Sequence, residues 1–315
     1  MHDLKQKDID LSIIIVNYNT RDQTVDCIRS IYEKTSDITF EIIIVDNNSS
    51  DGSCEVIQKH FDEVIIIVNS DNLGFAKGAN VGARNARGKY FCFLNSDTNL
   101  VNNAMREMLD VMNANRQIGI AGPLILDPEM GINQSLLNIS ISGTLLRLLG
   151  IKRMIKINEN FLSNHPRGYE LTMGTGLIGA CILVRRDLFE ALGGFDEQFF
   201  FYWEESDFIL NAMRNRWKAV FLPAGKVIHD TGGTVRKLSL EERKNVVYHF
   251  YYGLLFYCRK NYGKLGFVLA RFTTRVIIMV KRYHYMVKWK KKEDIASKFM
   301  IYSHVLEKLY LRKYH

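Results

Sequence analysis

The chain has 315 residues, 47% hydrophobic and 24% charged, an ordinary globular composition that excludes wholesale disorder. Its five cysteines (Cys27, Cys54, Cys92, Cys181 and Cys258) are scattered and form no C-x-x-C pair, so neither a disulfide framework nor a structural zinc site is expected, and a reducing cytosol fits. The formal charge of +8 is uneven: residues 236–315 carry 19 Lys/Arg against 5 Asp/Glu, which leaves the first 235 residues net acidic and points to a tail that meets a polyanion.

The first eleven residues are polar, and the apolar run Ile13–Val16 is too short for a signal peptide. No stretch approaches the roughly 18 apolar residues of a membrane-spanning helix. Short β-branched runs follow at 12–16, 41–45, 64–68 and 90–94, and again at 181–184 and 219–222. They are apolar throughout rather than alternating, as in strands buried on both faces of a parallel sheet. Their spacing suits βαβ units with right-handed crossovers.

A sheet of this kind places its ligand at the carboxyl ends of its strands. The first run is followed by Asn17-Tyr18-Asn19-Thr20 and the second by Asp46-Asn47-Asn48-Ser49. The third leads to Asn69-Ser70-Asp71-Asn72-Leu73-Gly74, and the fourth to Asn95-Ser96-Asp97. Turn formation alone explains any one such loop, but four in succession point to a shared polar site. There is neither G-x-G-x-x-G after the first run nor a P-loop, so dinucleotide and P-loop chemistry are poor fits.

Taken in order, SIIIVNYNT, IIIVDNNSSDGS, NLGFAKGANVGARNARGKYFCFLNSDT, GACILVRRDLFEALGGFDEQFFFYWEESDF and AVFLPAGKVIHDTGGT resemble the inverting glycosyltransferases of family 2, particularly the rhamnosyl- and galactofuranosyl-transferase-like branch. The resemblance covers about residues 10 to 236. It implies an α/β fold of the GT-A type, a Rossmann-like mixed sheet, over residues 1–236, followed by a helical, basic, amphipathic region over 237–315. It also implies that Asp46 bonds the pyrimidine edge of the donor, with Asn17, Asn19, Asn72, Gly74 and Asn80 beside the nucleoside and diphosphate. Gly74, Gly78 and Gly82 stand four residues apart, equally suited to close packing of a helix. Asn95-Ser96-Asp97 takes the place of the family's D-x-D motif, with Asn95 replacing the first Asp. Asp97 and His229 would then hold Mn²⁺ or Mg²⁺, leaving Asn95 for the ribose or the sugar.

In the cluster Trp203-Glu204-Glu205-Ser206-Asp207 the resemblance makes Glu205 the base that takes the acceptor's proton. Glu204 and Asp207 compete for that role, or simply charge a helix start favourably. Trp203, Glu204 and Asp196 are the expected acceptor contacts, although a core Trp and a turn-capping Asp are the plainer alternatives.

From Ser239 onward the chain reads as helices with a break near Asn261-Tyr262-Gly263. Lys260, Lys264, Arg271, Arg275 and Arg282 fall on one stripe at 100° per residue, opposite an apolar face. With the cluster Lys288-Trp289-Lys290-Lys291-Lys292, this suggests a helix lying on an anionic membrane. Packing of the apolar face on the catalytic domain, or on a second copy in a homodimer, is the alternative. The expectation is therefore an enzyme of the cytoplasm, peripheral on the inner face of the cell membrane. It would move one sugar from a nucleotide-sugar, dTDP-rhamnose or a UDP-hexose, to a glycan or lipid-linked acceptor in surface polysaccharide synthesis. A sugar-nucleotidyltransferase would carry a Gly-rich basic loop near its start, which is missing, and a nucleic-acid-binding protein sits badly with the acidic first 235 residues.

Overall fold

The computed structural model describes residues 8–132, 134–148, 155–230, 238–288 and 293–311. Most of the basic cluster at 288–292 therefore lies outside the described residues. The strands are β1 (Leu11–Asn17), β2 (Phe40–Asp46), β3 (Ile65–Val68), β4 (Tyr90–Asn95), β5 (Thr98–Leu100), β6 (Ile118–Leu126), β7 (Ser135–Asn138), β8 (Ile155–Lys156), β9 (Tyr169–Glu170), β10 (Thr175–Gly176), β11 (Cys181–Arg185) and β12 (Lys218–His229). The helices are α1 (Arg21–Lys34), α2 (Ser53–His60), α3 (Gly74–Asn85), α4 (Ala104–Ala114), α5 (Ile141–Leu148), α6 (Glu159–Asn164), α7 (Arg186–Ala191), α8 (Glu204–Arg214), α9 (Leu240–Lys288) and α10 (Glu293–Leu306). A π-helical turn, Glu307–Leu311, follows α10.

The main sheet runs β3-β2-β1-β4-β11-β6-β12-β5, with β9 added on β12. Its first four strands are parallel. β11 enters antiparallel to both β4 and β6, so the sheet is mixed. Alternation along β1 divides the core: Ile13 and Ile15 face α1, α2 and α4, while Ile14 faces α3, α8 and α9. Of the strands expected from the apolar runs, β3 is the exception to full burial: it is an edge strand and only partly covered, which departs from the uniform burial its IIIV sequence suggests. β6 has no counterpart in the sequence reading. Its Gly119, Gly122 and Pro123 look like breakers, yet all nine residues are buried, and the ladder to β11 ends at Ala121 before the proline can break it.

Register carries the polar strand ends to one edge: Asn17 stands opposite Asp46, and Val16 opposite Asn95. Helix α3 fits against this edge because Gly78 and Gly82 lie on Val16 and Ile14. Gly74 has φ +78°, and a Cβ there would sit 2.2 Å from the Phe200 carbonyl oxygen, which instead accepts a bond from the Phe75 N–H at 2.7 Å. Packing, rather than an open face for a ligand, therefore dictates the glycines.

The C-terminal helices join the same core. Tyr251, Leu254, Tyr257 and Cys258 of α9 are buried with Trp203 and Phe208, and the hydroxyls of Tyr257 and Tyr262 both donate to the Ile139 carbonyl. At Gly263 (φ +68°, ψ −162°) the helical conformation is broken. Beyond it α9 pairs with α10, where Tyr285 stacks on Tyr302. No helix among the described residues is long and apolar enough to cross a membrane.

Candidate active site

The site is built on the carboxyl edge of β1, β2 and β4. Asp46 is 1% exposed. Its Oδ1 accepts from Asn17 Nδ2 at 2.6 Å and its Oδ2 from the Ser49 N–H at 2.8 Å. Asn17 is itself fully buried: its amide also donates to Ser49 Oγ, and its carbonyl accepts from the Thr20 and Thr24 hydroxyls. Asn17 thus stands behind Asp46 and orients it, rather than lining a donor pocket. Asn19, at φ +54°, accepts from the Ser50 N–H and shapes the same loop. Asn72 Oδ1 accepts from the Gly74 N–H at 3.0 Å, which satisfies a donor at the start of α3. Asn80 is placed away from this edge. Its carbonyl accepts from the Phe195 N–H and its amide donates to the Phe195 carbonyl, so it clamps the Gly-Gly-Phe-Asp loop and is not left for a donor.

Asn95, Asp97 and His229 come together from the end of β4, the turn after it and the end of β12, because β12 pairs with β5 through His229 and Thr98. Asp97 Oδ1 lies 3.2 Å from His229 Nε2, and Asn95 Nδ2 lies 3.4 Å from the same nitrogen. Nε2 is thus faced by an acceptor and a donor together, while the buried Nδ1 has no hydrogen-bond partner. A single ring nitrogen cannot satisfy both neighbours. The carboxylate and imidazole are close enough to be neighbouring ligands of one divalent cation, and their donor atoms suit Mn²⁺ or Mg²⁺. Among the described residues no group of three His, Cys, Asp or Glu could hold a metal. Such an ion would fill its other positions with water and phosphate oxygens, as Mg²⁺ commonly does.

The acidic cluster enters α8 through two consecutive left-handed residues, Tyr202 (φ +71°) and Trp203 (φ +78°). Each costs on the order of 1–2 kcal/mol for a residue with a side chain, and such strain persists where neighbouring structure enforces it. Glu205 passes over Gly179, where a Cβ would lie 3.1 Å from Glu205 Cγ. Glu204 is 5% exposed, and its Oε2 is buried with no hydrogen-bond partner. Burial, then the charge of Glu205, pushes its carboxyl well above the usual range, favouring the neutral acid. The phenol of Tyr202 is pushed up to about 12 by burial and then by Glu204, Glu205 and Asp97. Tyr202 therefore feels the charges of both the acidic cluster and Asp97. Sequence reasoning missed it, because within Phe-Phe-Phe-Tyr-Trp only the phenol oxygen distinguishes it from core residues.

Three expectations change here. Trp203 is 5% exposed; its Nε1 donates to the Phe250 carbonyl, and its ring lies against Phe250 and Tyr257. It braces α9 and offers no open face to an acceptor. Asp207 accepts from Lys260 Nζ at 2.7 Å and from Asn261 Nδ2 at 2.6 Å, so it does not compete with Glu205 as the base. Asp196 also accepts from Lys260 at 2.7 Å, which makes it an anchor for the tail rather than an open acceptor contact. Burial opposes the charge on Lys260, but the bonds to Asp196 and Asp207 outweigh it and raise its pKa. Lys260 consequently leaves the basic stripe assigned from sequence.

A mixed sheet with parallel strands at its nucleotide end and a polar carboxyl edge is the architecture of nucleotide-sugar transferases of the GT-A type. The family model for glycosyl transferase family 2 matches residues 12–193, and the chain belongs to that family. Membership of that family speaks against the nucleotidyltransferase and non-enzymatic readings. Among relatives, N-acetylglucosaminyl-diphospho-decaprenol L-rhamnosyltransferase of Mycobacterium tuberculosis is 30% identical over 134 residues, 39% of this chain and 40% of that protein. The low-salt glycan biosynthesis hexosyltransferase Agl10 of Haloferax volcanii is 29% identical over 212 residues, 65% of this chain and 62% of that one. The matches thus span less than two thirds of either relative. Among solved structures, mannosyltransferase PcManGT of Pyrobaculum calidifontis, in complex with GDP-Man and Mn²⁺, superposes with a TM-score of 0.58 at 14% identity, covering 98% of this chain and 89% of that one. GalNAc-T7 with UDP, GalNAc and Mn²⁺ gives 0.55 at 16% identity over 78% of this chain and 48% of that one.

Proposed function

We propose that the enzyme inverts the anomeric centre as it moves a single sugar, with Glu205 as general base. The observation that carries this reading is the strained Tyr202–Trp203 turn, which sets Glu205 at the start of α8 over Gly179. Glu205 would take the proton from the acceptor hydroxyl. That oxygen would bond to the anomeric carbon from the face opposite the nucleoside diphosphate, and the bond to the diphosphate oxygen would break with its electron pair. Asp97 and His229 would hold Mn²⁺ or Mg²⁺, which when bound offsets the charge of the departing diphosphate. Asp46, held in place by Asn17 and Ser49, would accept from the pyrimidine N–H.

The rhamnosyl- and hexosyltransferase relatives support dTDP-rhamnose or a UDP-hexose as donor. A diphospholipid-linked glycan is supported as acceptor, in surface polysaccharide or glycan assembly. The test is transfer and donor hydrolysis across UDP-, dTDP- and GDP-sugars with Mn²⁺, Mg²⁺ or chelator. One nucleotide class active only with metal is expected, and equal turnover in chelator would overturn the metal assignment. Product analysis by NMR would show the anomeric configuration reversed; retention would remove Glu205 from the role of base.

A further inference from the structure

Past Gly263 the chain does something its upstream half does not. Leu265, Val268, Phe272, Val276, Met279, Tyr283 and Val287 are all strongly exposed, with Leu265 at 72% and Phe272 at 70%. At 100° per residue they fall within about 120° of arc, and they run for about 33 Å along the helix. The opposite side of the same helix is already filled: Ala270, Thr274 and Ile278 are buried with Val305 and Leu309, and Thr274 bonds the Tyr310 hydroxyl. An apolar ridge of this length is unusual on a free protein surface.

Charge identifies what covers it. Residues 264–288 hold six Lys/Arg and no Asp or Glu. Lys264, Arg271, Arg275 and Arg282 lie within roughly 40° of one another along one flank of the ridge, not opposite it. Arg271 and Arg275 sit over the Tyr310 ring, and Arg282 donates to Ser303, so α10 and the turn after it hold these cations at the ridge's edge. A second copy of this helix would set six positive charges against six. An anionic bilayer offers hydrocarbon for the ridge and negative headgroups for its flank.

We infer that the ridge from Leu265 to Val287 is a membrane-insertion surface, lying in the plane of an anionic bilayer with its side chains among the acyl chains. The sequence put the basic stripe opposite the apolar face; the structure assigns the contact to the ridge, with the cations beside it as a rim. This surface is independent of the donor site, so its failure and that of the transferase reading are separable.

The experiment is flotation of the full-length protein with phosphatidylcholine vesicles, alone or with about one phosphatidylglycerol in three lipids, beside the double variant Phe272→Glu/Met279→Glu. Wild-type protein is expected to bind the anionic vesicles, and binding should weaken as salt rises. The double variant should lose at least ~10-fold in partitioning, and Arg271→Ser should lose roughly fivefold. The metal-dependent thermal shift with donor nucleotide should be unchanged in all of them, which reports folding and the donor site. No binding of wild type at low salt would overturn the inference, as would undiminished binding of the double variant. So would a wild-type dimer, measured by light scattering, that the double variant dissociates while lipid binding is absent.

Discussion

At the scale of single residues the site pairs two adjacent glutamates whose surroundings differ. Glu205→Gln keeps shape and removes the proposed base. Transfer should fall by about 10²–10⁴-fold with an unchanged melting temperature, as steady-state kinetics beside calorimetry would show. Glu204 is the buried acid. Its folded pKa lies above the ordinary 4.5, so its contribution to stability is fully present below pH 4.5 and is lost as pH rises towards the folded value. Glu204→Gln should flatten that decline in denaturant melts across pH, and an identical pH slope in both proteins would remove Glu204 as its source. Residue identities suggested the chemistry: Asp46 ends the apolar run of β2, Asp97 follows that of β4, and Glu205 stands in the acidic first turn of α8. They did not announce which polar groups the protein itself consumes. Asn17, Asn80 and Trp203 look just as available in sequence, and only the fold reveals that their atoms are already bonded.

At the scale of elements, the first half of α9 follows the alternative that the sequence left open, packing on the catalytic region. This half is a brace for the catalytic turn: Gly253 lets it approach so closely that a Cβ there would sit 3.1 Å from the Tyr202 carbonyl. Lys260 ties Asp196 to Asp207, and Asn261 bonds both Asp207 and Arg214. Lys260→Met should therefore lower kcat with little change in donor KM. It should cost about 1–2 kcal/mol of stability, a value reduced from that of a buried pair because Lys260 is partly exposed. Unchanged kcat would show that the turn holds its shape without the tail. Strands β1 to β4, β11 and β12 were legible because each holds an apolar run bounded by turn residues, whereas the glycines and proline of β6 hid it. The long-range ion pairs were not legible, because no local pattern links residue 260 to residues 196 and 207. Gly74→Ala tests the other support of this turn: its Cβ would collide with the Phe200 backbone at a left-handed φ. A loss of more than ~2 kcal/mol in chemical denaturation is expected.

At the scale of the whole molecule, one core joins the sheet to the C-terminal helices, so the basic region and the acidic transferase region are one mechanical object rather than an enzyme trailing a tag. Salt should therefore act on one of two assays of the same protein: vesicle binding should decline as ionic strength rises, while transfer to a short water-soluble acceptor should hold nearly constant. Parallel decline would mean that the charge acts on substrate and not on a surface. The break at Gly263 gives this object a setting angle. Upstream of it the helix is registered to the catalytic turn; downstream its azimuth decides which way the ridge looks. One residue inserted after Gly263 would swing the ridge by about 100°, leaving an intact catalytic region turned on its side relative to any surface that the ridge holds.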